Sequence, residues 1–257
     1  MQRRHGCAIA ITTAILMLTS GCNTPASTHG ENTTTTTPTE RSITEQVLSN
    51  VRWIPNPAVD LMSPEGTFIR AASESYARIA FGRGRGEEAI ADAGYPGFLR
   101  AFNNVADAET SAGNGDKTRT WVGTAYSEVV NFRRDGGSFT AEVCSYGSMS
   151  AYESDGNYVS AGSTPSWGAG SYTFGPDPRI AAADQHEPPR NQRGPARTPS
   201  TDVFGTWVLT NVSTVELPQC AKLAPDTPMT WPPEKYVRPD PPPTLPPSPG
   251  WPEAPTQ

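Results

Sequence analysis

The sequence predicts an α+β domain in which N-terminal helices pack on a curved antiparallel sheet. Three observations predict it: a strongly capped amphipathic helix, a change of apolar period from helical to two after Gly113-Asn114-Gly115, and turn signals that fold the later strands into hairpins. Ser63-Pro64-Glu65 opens the first helix with an N-cap hydroxyl, a proline at N1 and an acid in the first turn. Phe68, Ala72, Tyr76 and Ile79 then form one apolar stripe, ended by Gly82. A short helix is expected over 87–92, and Pro96 opens another that points Phe98, Leu99 and Phe102 inward. In the strand region Val122, Tyr126, Val130 and Phe132 are expected on one face. Asp135-Gly136-Gly137 turns the chain, and Phe139, Ala141 and Val143 form the apolar face of the returning strand. A second hairpin turns at Ser154-Asp155-Gly156-Asn157, and Val203–Leu217 reads as a last β-rich run. A strongly bent sheet needs helices over its concave face, which the early helices can supply.

Composition limits how much of the chain belongs to that core. Of 257 residues, 23 are glycine and 27 proline, too many for a compact helical bundle. A net charge of −6 without a basic patch argues against a nucleic-acid partner. Arg3 and Arg4 precede the apolar run Cys7–Leu18, too short to span a bilayer but suited to a signal-peptide h-region. The run ends in Leu18-Thr19-Ser20-Gly21-Cys22, which resembles the lipobox of bacterial lipoproteins, with Thr19 where that motif prefers leucine. The resemblance implies a signal peptide over 1–21, lipidation (palmitate) at Cys22, and a protein held by the lipid bilayer on the extracytoplasmic face of the cell membrane. Ordinary signal cleavage would instead leave Cys22 a free thiol. With Cys7 removed and Cys22 acylated, Cys144 and Cys220 remain, a pair that an oxidising compartment would join in a disulfide. The alternative is two buried thiols.

Residues 22–44 are polar and threonine-rich, hence a flexible stalk. The domain is placed at 45–221, with an irregular insertion over 162–201 rich in proline, glycine and arginine. Residues 222–257 form a proline-rich tail, with 13 prolines from Pro225 onward. It is expected to be disordered or polyproline-like, Trp231, Tyr236 and Trp251 being its candidate anchors.

The stretches 120–156 (TWVGTAYSEVVNFRRDGGSFTAEVCSYGSMSAYESDG) and 205–220 (GTWVLTNVSTVELPQC) resemble NTF2-like (cystatin/NTF2-like) domains of actinobacterial lipoproteins, in which a tryptophan-led strand, a hairpin, a cysteine-bearing strand and a late tryptophan strand recur, as Trp121, Cys144 and Trp207 do here. The resemblance implies a cone-shaped α+β fold over about residues 45–221, and enzymes of that family place an Asp or His inside the cone.

His5, His29 and His186 lie outside every expected core element, so neither a histidine mechanism nor a metal is expected, and no cofactor. Among carboxylates Glu128 is the candidate for general acid/base work because it is in phase with the apolar face, whereas Glu142 is out of phase. A surface pair of Glu128 with Arg133 or Arg134 is the simpler expectation. Tyr76, Tyr126 and Trp207 are candidates to line a pocket, or else pack in the core. Gly82-Arg83-Gly84-Arg85-Gly86 follows a helix and lacks Gly-Lys-Ser/Thr, so it is not a phosphate loop. The expected function is a non-enzymatic binding or accessory module at the cell envelope, taking an envelope protein, a glycan or a small apolar ligand. The alternatives are an isomerase, dehydratase or hydrolase using a buried carboxylate, and a phage-derived superinfection-exclusion lipoprotein.

Overall fold

Ser63 caps the longest helix where its sequence places it. In the computed structural model, which describes residues 42–102, 104–105, 112–160, 165, 167–232 and 236–255, the Ser63 hydroxyl accepts from Gly66 N at 3.1 Å and α2 runs Pro64–Ile79. A short α1 (Ile43–Gln46) precedes it, with Ser42 N donating to Glu45 Oε2 at 2.8 Å in a capping box. Ile43 is buried, so the folded body includes residues before the expected start at 45. β1 (Asn50–Trp53) lies between α1 and α2, while α3 (Glu87–Ala93) and α4 (Phe98–Phe102) follow as expected. The signal segment 1–21, the lipidation candidate Cys22 and the stalk as far as residue 41 lie outside the described residues. Among the described residues no helix is long and apolar enough to cross a membrane.

The strands are β2 (Trp121–Asp135), β3 (Ser138–Tyr146), β4 (Ser150–Ser154), β5 (Asn157–Ser160), β6 (Trp167–Pro176), β7 (Trp207–Thr214) and β8 (Tyr236–Arg238). They form one mostly antiparallel eight-stranded sheet in the order β7-β6-β3-β2-β4-β5-β8, with β1 pairing parallel to β2. The fold is therefore α+β. Both expected hairpins form: Asp135 faces Ser138 across Gly136-Gly137, and Ser154 faces Asn157 across Asp155-Gly156. Asp155 (φ 51°) and Gly156 (φ 73°) both take the left-handed conformation that a type I′ turn requires.

A β-bulge at Val129/Asn131 corrects the expected face of β2. Tyr126 and Val130 pack with Cys144 and Tyr146 on one side of the sheet, whereas Phe132 joins the helix-covered side. One inserted residue reverses the alternation, which strict period-two counting misses. Phe139, Ala141 and Val143 do share the helix-covered face. There Phe68 of α2 stacks on Phe174 at 4.7 Å and meets Phe204 edge-on at 5.5 Å, while Phe139 stacks on Trp207 at 5.0 Å.

Two stretches expected to be irregular are parts of the fold. Within 162–201, whose residues 162–164 and 166 lie outside the described set, Trp167–Pro176 pairs along β3 from Phe139 to Tyr146. Its glycines hide the alternation, leaving Tyr172 and Phe174 as its buried aromatic signal. The following segment wraps the start of α2, with Asn191 N donating to Met62 O at 2.9 Å. The proline-rich tail is not a disordered extension over 236–255: β8 pairs with β5, and Trp251 is 1% exposed. Prolines bring no N–H to satisfy, and their carbonyls accept what the body offers. Asn50 Nδ2 donates to Leu245 O (2.8 Å), Arg52 Nη1 to Pro246 O (2.6 Å) and Thr124 Oγ1 to Pro243 O (2.8 Å). Trp251 forms a two-way backbone bridge with Ala196, fastening tail to insertion.

Cys144 of β3 and Cys220, in a 3-10 turn after β7, form a disulfide with Cα atoms 5.4 Å apart. Closing a loop of 76 residues restricts the unfolded chain and stabilises the fold by roughly 2–5 kcal/mol.

Candidate functional site

The C-terminal half of α2 faces the sheet with small and polar residues. Ser73, Glu74, Ala77 and Arg78 stand opposite Ala125 and Ser127 of β2 and Ser145 and Gly147 at the end of β3, and a cavity of about 420 Å³ opens between them. That volume falls in the range of about 300–1,000 Å³ usual for small-molecule sites. Val47, Val51, Phe81, Trp121 and Trp167 make its apolar walls, and Glu74, Tyr95, Arg78 and Arg197 its polar side. Trp121 is held by Phe81 (6.0 Å between centroids) and Tyr152 (5.4 Å), and its indole Nε1 is buried with no hydrogen-bond partner.

Glu74 is a buried carboxylate served by three aromatic donors: Trp53 Nε1 at 2.7 Å, Tyr95 OH at 2.6 Å and Trp251 Nε1 at 3.0 Å. This network ties β1, α2 and the tail together and accounts for a charged group in the interior. Burial, and then the Glu74 charge and its hydrogen bond, hold the Tyr95 phenol well above its ordinary pKa, so it stays a neutral donor. One turn earlier Arg70 is fully buried, its Nη1 donating to Gln192 O at 2.7 Å and its Nη2 to Gly250 O at 2.5 Å, with the guanidinium 4.3 Å from the Trp251 ring. Burial lowers the Arg70 pKa, partly offset by the negative charge of Glu74.

Glu128 lies on the other side of the sheet, away from the α2 aromatic core. Its Oε2 accepts from Lys222 Nζ (2.7 Å) and Tyr146 OH (2.8 Å), and its Oε1 from Asn56 Nδ2 (2.9 Å). Desolvation works to raise its pKa, but the hydrogen bonds from Lys222, Asn56 and Tyr146 and the lysine's charge outweigh it and leave the carboxyl below its usual range. A general acid needs the opposite shift. The expected surface pairing is also corrected: Arg134 pairs with Glu65 of α2 at 2.5 Å, and Lys222 is the partner of Glu128.

Of the three aromatic pocket candidates, Tyr126 borders the cavity. Its hydroxyl donates to Asp226 Oδ2 at 2.7 Å, and desolvation with that acidic neighbour pushes its pKa to about 12. Tyr76 packs edge-on against Phe102 and Tyr172, and Trp207 sits among Phe68, Phe139 and Phe174, so both are core residues. The sequence-based list missed Glu74, Arg78, Trp167 and Arg197. Glu74 and Arg78 carried one signal, an acid and a base at i,i+4 spacing on α2, a spacing that Arg70 and Glu74 share. Trp167 and Arg197 lay in the segment read as irregular.

No family model matches the chain, and no curated protein or solved structure matches it.

Proposed function

We propose that this chain is a lipoprotein, anchored through an acylated Cys22 on the extracytoplasmic face of the cell membrane, whose NTF2-like body binds a small, mainly apolar molecule without transforming it. The observation that carries the reading is the cavity between α2 and the sheet, walled by Val47, Val51, Phe81, Trp121 and Trp167. The cavity opens to solvent past Ala77, Trp167 and Arg197, so a small guest can enter it. A cavity beneath a helix that covers a sheet also supports the cone architecture. The Cys144–Cys220 disulfide agrees with an oxidising compartment outside the cytoplasm. The isomerase, dehydratase or hydrolase alternative loses its candidate: Glu128 is held ionised by Lys222, and Glu74 has its oxygens taken by three donors.

Titrating the full-length chain with Nile red, a neutral apolar fluorophore, tests this reading. The expected result is one saturable site whose affinity falls by about tenfold or more, over 1.4 kcal/mol, in Ala77→Trp. Ala77 is an exposed position of α2 at the cavity wall, so the indole enters the hollow without entering the core. Absence of saturable binding, or equal binding by wild type and Ala77→Trp, would overturn it.

A further inference from the structure

Building on the reading of this cavity as a ligand site, we infer that its occupant is a monoanionic amphiphile: an aliphatic carboxylate whose head is seated by Arg78 and Arg197 and whose chain lies against Phe81, Trp121 and Trp167. Two guanidinium groups border the cavity. Arg78, in the last turn of α2, donates from Nε to Ala93 O at 3.0 Å and stands 5.5 Å from the centre of the Tyr95 ring. Arg197 donates from Nη2 to Val47 O and Ser49 O, at 2.7 and 3.1 Å, both on the cavity wall. Tyr95 links the two, since its hydroxyl reaches Arg197 O at 3.4 Å. Among the described residues neither arginine forms an ion pair.

Two like charges held near each other in a partly desolvated place are costly without an anion between them. Burial, and then repulsion from Arg78, lower the Arg197 pKa. The acid on the wall, Glu74, is already committed to Trp53, Tyr95 and Trp251. The charged side chains on the cavity wall are two arginines and one glutamate, and that glutamate also has the buried Arg70 as a neighbour, so the wall is net positive and suits an anion. The planar fork of a guanidinium matches a carboxylate bidentately, and a carboxylate carries its single charge at the end of an apolar chain that the rest of the cavity can take. Val47, Val51, Phe81, Trp121 and Trp167 give the rest of the molecule apolar walls to lie against, so it is mainly hydrocarbon.

Displacement of Nile red from the full-length chain by decanoate and by decanol isolates the head group, since the two share a chain length. Decanoate should displace the dye at a concentration lower by about tenfold or more, as expected for a hydrogen-bonded charge. That preference should fall away in Arg197→Gln and Arg78→Gln, persist in part in Arg78→Lys, and shrink with added salt. Equal displacement by the two competitors, or a preference that survives both glutamine variants, overturns the carboxylate seat while leaving the apolar site standing. Failure of Nile red to bind any form instead removes the site on which the inference rests. Arg197 is exposed, so its variant carries the test if Arg78→Gln does not fold.

Discussion

The two halves of α2 meet the same sheet in opposite ways. Along its first turns Phe68 is fully buried, stacked on Phe174 at 4.7 Å, with Phe204 and Trp207 closing around it. Along its last turns Ser73, Ala77 and Arg78 face Ala125, Ser127 and Ser145, and the space between stays open. Helix and sheet are continuous through both ends, but the side chains that meet directly between them differ in size. Large rings on both partners make a solid; small groups on both leave a hollow. The open end forgoes dispersion contacts and is braced differently, by the Glu74 hydrogen bonds and by Trp251 pressed over Arg70. Stability is therefore concentrated at one end of the interface, and the capacity to accept a guest at the other.

Changing the solid end should have the largest effect. Phe174→Ala removes a ring that Phe68, Phe132, Phe139 and Trp207 all contact. It should cost about 3–5 kcal/mol in denaturant unfolding. Ala77→Trp at the open end should change the same midpoint little, and comparable losses in the two variants would erase the distinction.

A smaller effect separates the two faces of the sheet. Glu128→Gln should cost about 1–3 kcal/mol at neutral pH, because the Lys222 ammonium loses its charged acceptor. The folded-state pKa of Glu128 is depressed. Its contribution is thus fully present above the unfolded value of about 4.3 and disappears as pH falls through the folded one. Wild type and variant should converge in acid, and a gap that stays constant down to acid unfolding would mean that the carboxylate charge is not what stabilises.

The solid end was the legible one. Phe68 and Tyr76 at helical spacing, the Ser63-Pro64 start and the alternation of Phe139, Ala141 and Val143 announce elements whose stability comes from apolar burial, which sequence periodicity records directly. Cys144 and Cys220 were legible by elimination of the two N-terminal cysteines. The open end was hidden because a cavity is defined by residues that are small, and Ala77, Ser127, Ser145 and Gly147 leave no pattern. Its walls also come from distant places: β1, the segment around Arg197 and, behind Glu74, Trp251. Tail and insertion looked unfoldable because their proline and glycine content lowers helix and strand propensity. They are held instead by side chains elsewhere, such as Asn50, Arg52, Arg70 and Thr124, that donate to their carbonyls. Tertiary partners supply what local sequence lacks.

The six tryptophans make the contrast between the ends directly observable. In a nitrogen-edited NMR titration of the indole N–H signals with decanoate, Trp121 and Trp167, on the walls of the hollow, should shift together and saturate, while Trp207, locked between Phe139 and Phe174, should hold its position. Uniform small shifts across the indoles, or a response at Trp207 with none at Trp121, would contradict an open end built to hold a ligand.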